Sequence, residues 1–150
     1  MAEFTYNPIQ TVQAGQNVIL NTNIGCPNGY VLHRNESGLV ILRGIVNNPC
    51  GSFARYQVTF NGNIAVAEGG TAQPIAVSLA IDGEPIQTSK AIYTPAAVGD
   101  LGNVTSTAII TVPKGCCFTV AVENVSEADG ATPAQIIDVQ NANLVVSRIA

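Results

Sequence analysis

From Gln57 to Ile149 the chain is a succession of short segments in which apolar and polar residues alternate, divided by turn-forming dipeptides and almost free of charge. Val58 and Phe60, then Ile75, Val77, Leu79 and Ile81, then Val104, Ala108, Ile110 and Val112, and finally Val120 and Val122 recur at spacing two within their segments. That period belongs to a strand with one face buried, because successive side chains on a pleated backbone point to opposite faces. The pattern therefore dictates an all-β fold with one buried face per sheet.

The breaks between the segments carry their own chemistry. Asn47-Asn48-Pro49, Glu68-Gly69-Gly70, Asp82-Gly83, Gly99-Asp100 with Leu101-Gly102, Pro113-Lys114-Gly115 and Asp129-Gly130 all supply residues that accept turn dihedrals. Asp82-Gly83 is the strongest hairpin signal among them. The strands they delimit are Tyr30 to Arg34, Gly38 to Val46, Ser52 to Ala65, Ile75 to Ile81, Pro85 to Thr94, Asn103 to Val112, Cys117 to Asn124 and Asp138 to Ile149. Eight or nine strands in 150 residues without a helix argue for a double-sheet jelly-roll β-sandwich. An immunoglobulin-like sandwich is the second choice, weakened by the lack of any Trp and of a cysteine pair at the inter-sheet separation.

Residues 1 to 25 read differently. Phe4, Tyr6, Pro8, Ile9, Val12, Val18 and Leu20 are interspersed with Gln and Asn, and Pro8 and Gly15 interrupt any regular element. The expectation is an extended N-terminal arm with one short strand at Asn17 to Leu20, followed by a jelly-roll domain over residues 26–150. Spaced apolar anchors on an extended segment suit strand addition to another protein, so Phe4, Tyr6, Pro8, Ile9 and Val12 are the expected capsid or subunit attachment residues. On this reading, removing residues 1–16 changes stability by no more than about 1 kcal/mol.

Composition limits the partners. Charged residues are 11% of the chain, where about 25% is usual, and Asn, Gln, Thr, Ser and Gly take their place on the surface. Such a neutral surface suits a permanent assembly. The net charge of -4, with Arg34, Arg43, Arg55, Lys90, Lys114 and Arg148 dispersed singly, provides no basic stripe for nucleic acid. Neither a signal peptide nor an apolar run of about 18 residues is present, so no membrane span is expected. The triplets at Asn35, Asn103 and Asn124 match the glycosylation pattern and are read as chance in an Asn- and Ser/Thr-rich chain.

No reaction chemistry emerges. His33 is the sole histidine, at a strand end, with no nucleophile placed beside it and no G-x-S-x-G elbow in the chain. Cys26, Cys50, Cys116 and Cys117 lack a C-x-x-C knuckle, which argues against zinc. Two thiol readings stay open: a Cys26 to Cys50 bridge, or free and mostly buried thiols in a reducing compartment. Cys116 and Cys117 are expected not to bond to each other, one facing the core and the other the opposite sheet surface or a neighbouring subunit. Asp82 with Glu84, and Glu127 with Asp129, supply too few oxygens for calcium by themselves. No cofactor is expected, and no enzymatic activity.

Three blocks carry a resemblance: QVTFNGNIAVAEGGTAQPIAVSLAIDGEPI, STAIITVPKGCCFTVAVENVS and the terminal ANLVVSRIA. They resemble the trimeric jelly-roll domains of the tumour necrosis factor and complement globular-head type, especially the versions in phage head-fibre and capsid-decoration proteins and in collagen-like spore-surface proteins. The likeness covers roughly residues 38–150. It implies a homotrimer without catalytic residues. The absence of a Gly-x-y repeat before the domain turns the expectation from a spore filament to a phage virion component made in the bacterial host cytoplasm, with the major capsid protein or another virion protein as partner. The alternative is a carbohydrate or host-surface binding module of a phage or bacterial surface protein, whose Asn, Gln and Asp loops would hold a glycan.

Overall fold

The computed structural model describes residues 1–24, 29–34, 36–45 and 50–150. Its strands are β1 Ala2–Tyr6, β2 Gln10–Val12, β3 Thr22–Ile24, β4 Val31–His33, β5 Val40–Arg43, β6 Phe53–Val66, β7 Ile75–Ile81, β8 Glu84–Pro85, β9 Ala91–Tyr93, β10 Gly102–Pro113, β11 Cys117–Asn124 and β12 Ile137–Arg148. One short 3-10 turn, Gln87–Ser89, is the only helical element among the described residues. None of their helices is long and apolar enough to cross a membrane.

The strands form two antiparallel sheets. The first has the order β10-β6-β12-β1-β3, with β2 pairing β12 beside β1; the second has the order β4-β5-β11-β7-β8, with β9 pairing β7 beside β8. Alternation along each long strand sorts the side chains: Tyr56, Val58, Phe60 and Ile64 of β6, Val104, Ile110 and Val112 of β10, and Leu144 and Val146 of β12 face Val40, Leu42, Val77, Leu79, Val120 and Val122 across one shared core. This is the jelly-roll β-sandwich that the period of two implies.

Asp82 and Gly83 adopt φ of 50° and 86°, the paired positive values of a two-residue hairpin turn, between Ile81 and Glu84 in register. The Asp82 carboxylate also accepts the Thr119 N–H at 2.9 Å, tying the turn to β11. The expected strand from Pro85 to Thr94 is divided. Ser89 accepts the Leu79 N–H at 3.0 Å and donates to the Ile86 carbonyl at 2.7 Å, which holds the chain in a turn between β8 and β9. The Ser106 hydroxyl of β10 donates to the Ser89 carbonyl, so this turn also bridges the sheets along one side.

The N-terminal segment closes the other side, and here the structure corrects the sequence expectation. Residues 1–24 are extended but do not stand apart from the sandwich. β1 pairs with β12 from Ala2↔Val146 to Tyr6↔Ala142, and β2 pairs with the same edge of β12 from Ile137 to Val139. Between them, Asn141 takes φ of 56° at a bulge in β12 and donates its N–H to the Asn7 carbonyl at 3.2 Å. The chain then crosses to the second sheet, where the Gly15 and Val18 N–H groups reach the carbonyls of Asn124 and Val122, each at 2.8 Å. The short strand expected at Asn17–Leu20 is reduced to isolated bridges, Asn17↔Glu123 and Leu20↔Ser37. Phe4, Val18 and Leu20 are fully buried, and Val12 nearly so.

The thiol expectation is corrected as well. Cys116 and Cys117 are both exposed and are not joined to each other, and Cys50 is exposed too. Cys116 belongs to the turn closed by its own N–H on the Pro113 carbonyl, with Gly115 at φ of 77°; Cys117 starts β11 on the outward face that it shares with Thr119. Neither reaches the core. Cys26, and with it the expected Cys26 to Cys50 bridge, lies outside the described residues, as do Asn35 and the Asn47-Asn48-Pro49 turn.

Candidate functional site

The five attachment residues do not form one surface. Phe4 and Val12 point into the core, Tyr6 is half-buried against it, and Pro8 and Ile9 alone are solvent-exposed, at the crossover from β1 to β2. The Phe4 ring packs against His33 with centroids 4.8 Å apart, and His33 Nε2 lies 3.1 Å from the Ser37 carbonyl oxygen. Histidine and phenylalanine thus act together as packing, with a backbone carbonyl in place of a nucleophile. Among the described residues no group of three or more His, Cys, Asp or Glu side chains converges on a metal position.

What the fold does gather is on the outward face of the first sheet. Register places four rows across β10, β6 and β12: Ile109–Gln57–Ser147, Thr107–Thr59–Val145, Thr105–Asn61–Asn143 and Asn103–Asn63–Gln140. None of these residues is charged. Neighbouring side chains bond within the rows: Thr59 and Thr107 hydroxyls lie 3.0 Å apart, Thr105 donates to Asn61 Oδ1 at 3.2 Å, and Asn103 donates to Asn63 Oδ1 at 3.2 Å. Asn63 in turn donates to Asn141 Oδ1 at 3.3 Å, and Asn143 donates to the Glu3 carboxylate on β1. Charges stand only at the margins, with Arg55 beyond one end, Asp138 beyond the other and Glu3 along the β1 side.

This lattice escaped sequence reasoning. Its signal was present as Thr59-x-Asn61-x-Asn63 and Asn103-x-Thr105-x-Thr107, the polar halves of two alternating strands. Only the pairing of β6 with β10 turns two polar stripes into a surface.

Among the described residues, grooves also lie elsewhere. One of about 330 Å³ runs between residues 67–71 and 132–136; Gln135 bridges it internally, accepting the Thr71 N–H and donating to the Pro133 carbonyl, each at 2.8 Å. Another, of about 290 Å³, lies on the outside of the second sheet beside Lys90 and Glu127.

No protein-family model matches the chain, and no curated protein matches it. Solved structures do. The tumour necrosis factor Eiger from S. frugiperda superposes with a TM-score of 0.64 at 10% identity, over 100% of this chain and 92% of that one. The globular domain of the zebrafish complement 1qA protein gives 0.56 at 13% identity, over 96% of this chain and 94% of that one. A CBM35 module from Cellvibrio japonicus Abf62 aligns over 100% of this chain and 99% of its own at 14% identity, but with a TM-score of 0.37 it carries no argument. The protein is a jelly-roll sandwich of the kind seen in complement and tumour necrosis factor globular domains.

Proposed function

We propose that the protein is a non-enzymatic structural component that assembles as a homotrimer through the outward face of its first sheet, and that this trimer belongs to a phage virion as a capsid decoration or head fibre. The uncharged lattice of β10, β6 and β12 is the observation that carries the assembly. Interface cores are depleted of charged residues, because a buried charge without a matched partner costs far more than a buried amide or hydroxyl that keeps a hydrogen bond. Here the amides and hydroxyls already hold one another, and Ile109, 64% exposed, stands among them as an apolar anchor without a pocket of its own. The trimer and the virion setting rest on the resemblance of residues 38–150 to trimeric jelly-roll domains of phage particles.

Light scattering on the purified protein at micromolar concentration tests the assembly, with an expected mass three times that of the chain. A monomer that gives a hit on a glycan array would replace this reading with the carbohydrate or host-surface binding module. The virion setting has a separate test: the flanking genes should encode portal, major capsid or head-maturation protease, and a sporulation or secretion cluster in their place refutes it.

A further inference from the structure

The groove on the outside of the second sheet is built from residues that the assembly does not use. Pro74 and Ala76 form its floor at the start of β7, and Ile92 of β9, opposite Ala76 in register, is one wall. The other wall is the loop after β11, carrying Glu127 and Asp129. Lys90 also lines the groove, its side chain only 20% exposed, and its Nζ lies 2.8 Å from Glu127 Oε1. Ile92, by contrast, is 62% exposed although it borders a concavity.

The loop that presents the two carboxylates is held by its backbone. Gln73, nearly buried, donates to the carbonyls of Glu127 and Pro133 at 3.4 and 3.1 Å, and Asp129 and Thr132 exchange a pair of N–H bonds at 2.9 Å. The Lys90 ammonium holds the Glu127 carboxyl below its usual range, so the pair stays charged. With the Glu127 side chain 79% exposed, the pair adds little to stability. What it provides is a fixed dipole, positive at Lys90 and negative at Glu127 and Asp129, beside unfilled apolar surface.

The complement of that arrangement is a head group with adjacent opposite charges on an apolar body. We propose that this groove binds free α-amino acids with apolar side chains, the ligand carboxylate on Lys90 Nζ, its ammonium on Glu127 and Asp129, and its side chain against Pro74, Ala76 and Ile92. A simple carboxylate would meet two acidic groups unpaired, and a simple amine would meet the lysine. Only a zwitterion matches both ends.

The test is a titration of the full chain with L-phenylalanine, followed by NMR of the Ile92 methyl groups. Saturable shifts in the millimolar range are expected. N-acetylphenylalanine and phenylalanine amide, each lacking one charge, should bind at least about tenfold more weakly, as should L-phenylalanine to Lys90→Met and, at a second and largely exposed position whose loss leaves the core untouched, to Glu127→Gln. Equal shifts from either blocked ligand, undiminished binding by Glu127→Gln, or no saturable shift with L-phenylalanine would overturn the proposal. None of these results bears on the trimer, whose face is on the other sheet.

Discussion

Asn124 shows how one buried polar side chain can hold a fold closed. It is fully buried, donates to the carbonyls of Val12 and Gln135 at 3.0 and 3.1 Å, and accepts the Ser126 N–H at 3.0 Å. One amide thus ties the adjoining Ser126 and the nearby Gln135 to Val12 of the N-terminal segment, more than a hundred residues away, and full burial removes Asn124 as a glycan acceptor in the folded protein. Asn124→Ala would leave two buried carbonyls and one N–H without a partner, a loss of roughly 2–4 kcal/mol that chemical denaturation would measure. Glu123, its neighbour, behaves oppositely. Partial burial pushes its carboxyl up, and Glu84 nearby adds to the shift. A carboxyl whose value in the folded state lies above that in the unfolded chain binds protons more tightly when folded, so stability falls as pH rises through that window. Glu123→Gln should flatten this slope and raise the melting temperature at neutral pH; an unchanged pH profile of melting would contradict it.

At the level of elements, the strands with a clean period of two were legible. β7 and β11 coincide end for end with the expected Ile75–Ile81 and Cys117–Asn124, and the Asp82-Gly83 turn sits where its dihedral needs put it. The N-terminal segment was not legible, and the reason is physical. Pro8 and Gly15 do interrupt it, but they do so where the chain passes from β1 to β2 and from the first sheet to the second, with Gly15 at φ of 80°. The partners that make it structure, β12 and the end of β11, lie more than a hundred residues away, beyond any local pattern. Gly38 records how closely this segment packs: a Cβ there would stand 2.0 Å from the Val18 carbonyl oxygen. The expectation for truncation therefore reverses. Phe4→Ala alone should cost roughly 3–5 kcal/mol, by emptying a core position and unstacking His33. Deleting residues 1–16 removes Ala2, Phe4 and Val12 together with both β12 pairings, a loss comparable with the whole stability of a domain. A truncated protein that melts within a few degrees of the full chain would contradict this placement of the N-terminus.

For the whole molecule, low charge and abundant Asn and Thr suit the proposed assembly, but composition does not say where on the surface the neutral residues gather. The two-sheet topology gathers the neutral residues on β10, β6 and β12 and leaves the charged ones at their margins, which is why the proposed interface is placed there. Assembly through such a face has an electrostatic signature. Interactions between exposed charges weaken as the Debye length shrinks from about 10 Å at 0.1 M salt to about 3 Å at 1 M, whereas burial of apolar groups and of hydrogen-bonded amides does not depend on that length. The proposed trimer should therefore change its dissociation constant by no more than about threefold between these salt concentrations, measured by sedimentation. Thr107→Arg supplies the complementary test. It places a guanidinium in the second row beside Thr59, where closing the interface would strip its water without offering a carboxylate, since Glu3 lies two strands beyond β6. Thr107 is exposed in the single chain, so the variant should fold with an unchanged melting profile at low concentration yet sediment as a monomer. A Thr107→Arg protein that remains trimeric would move the interface off this face.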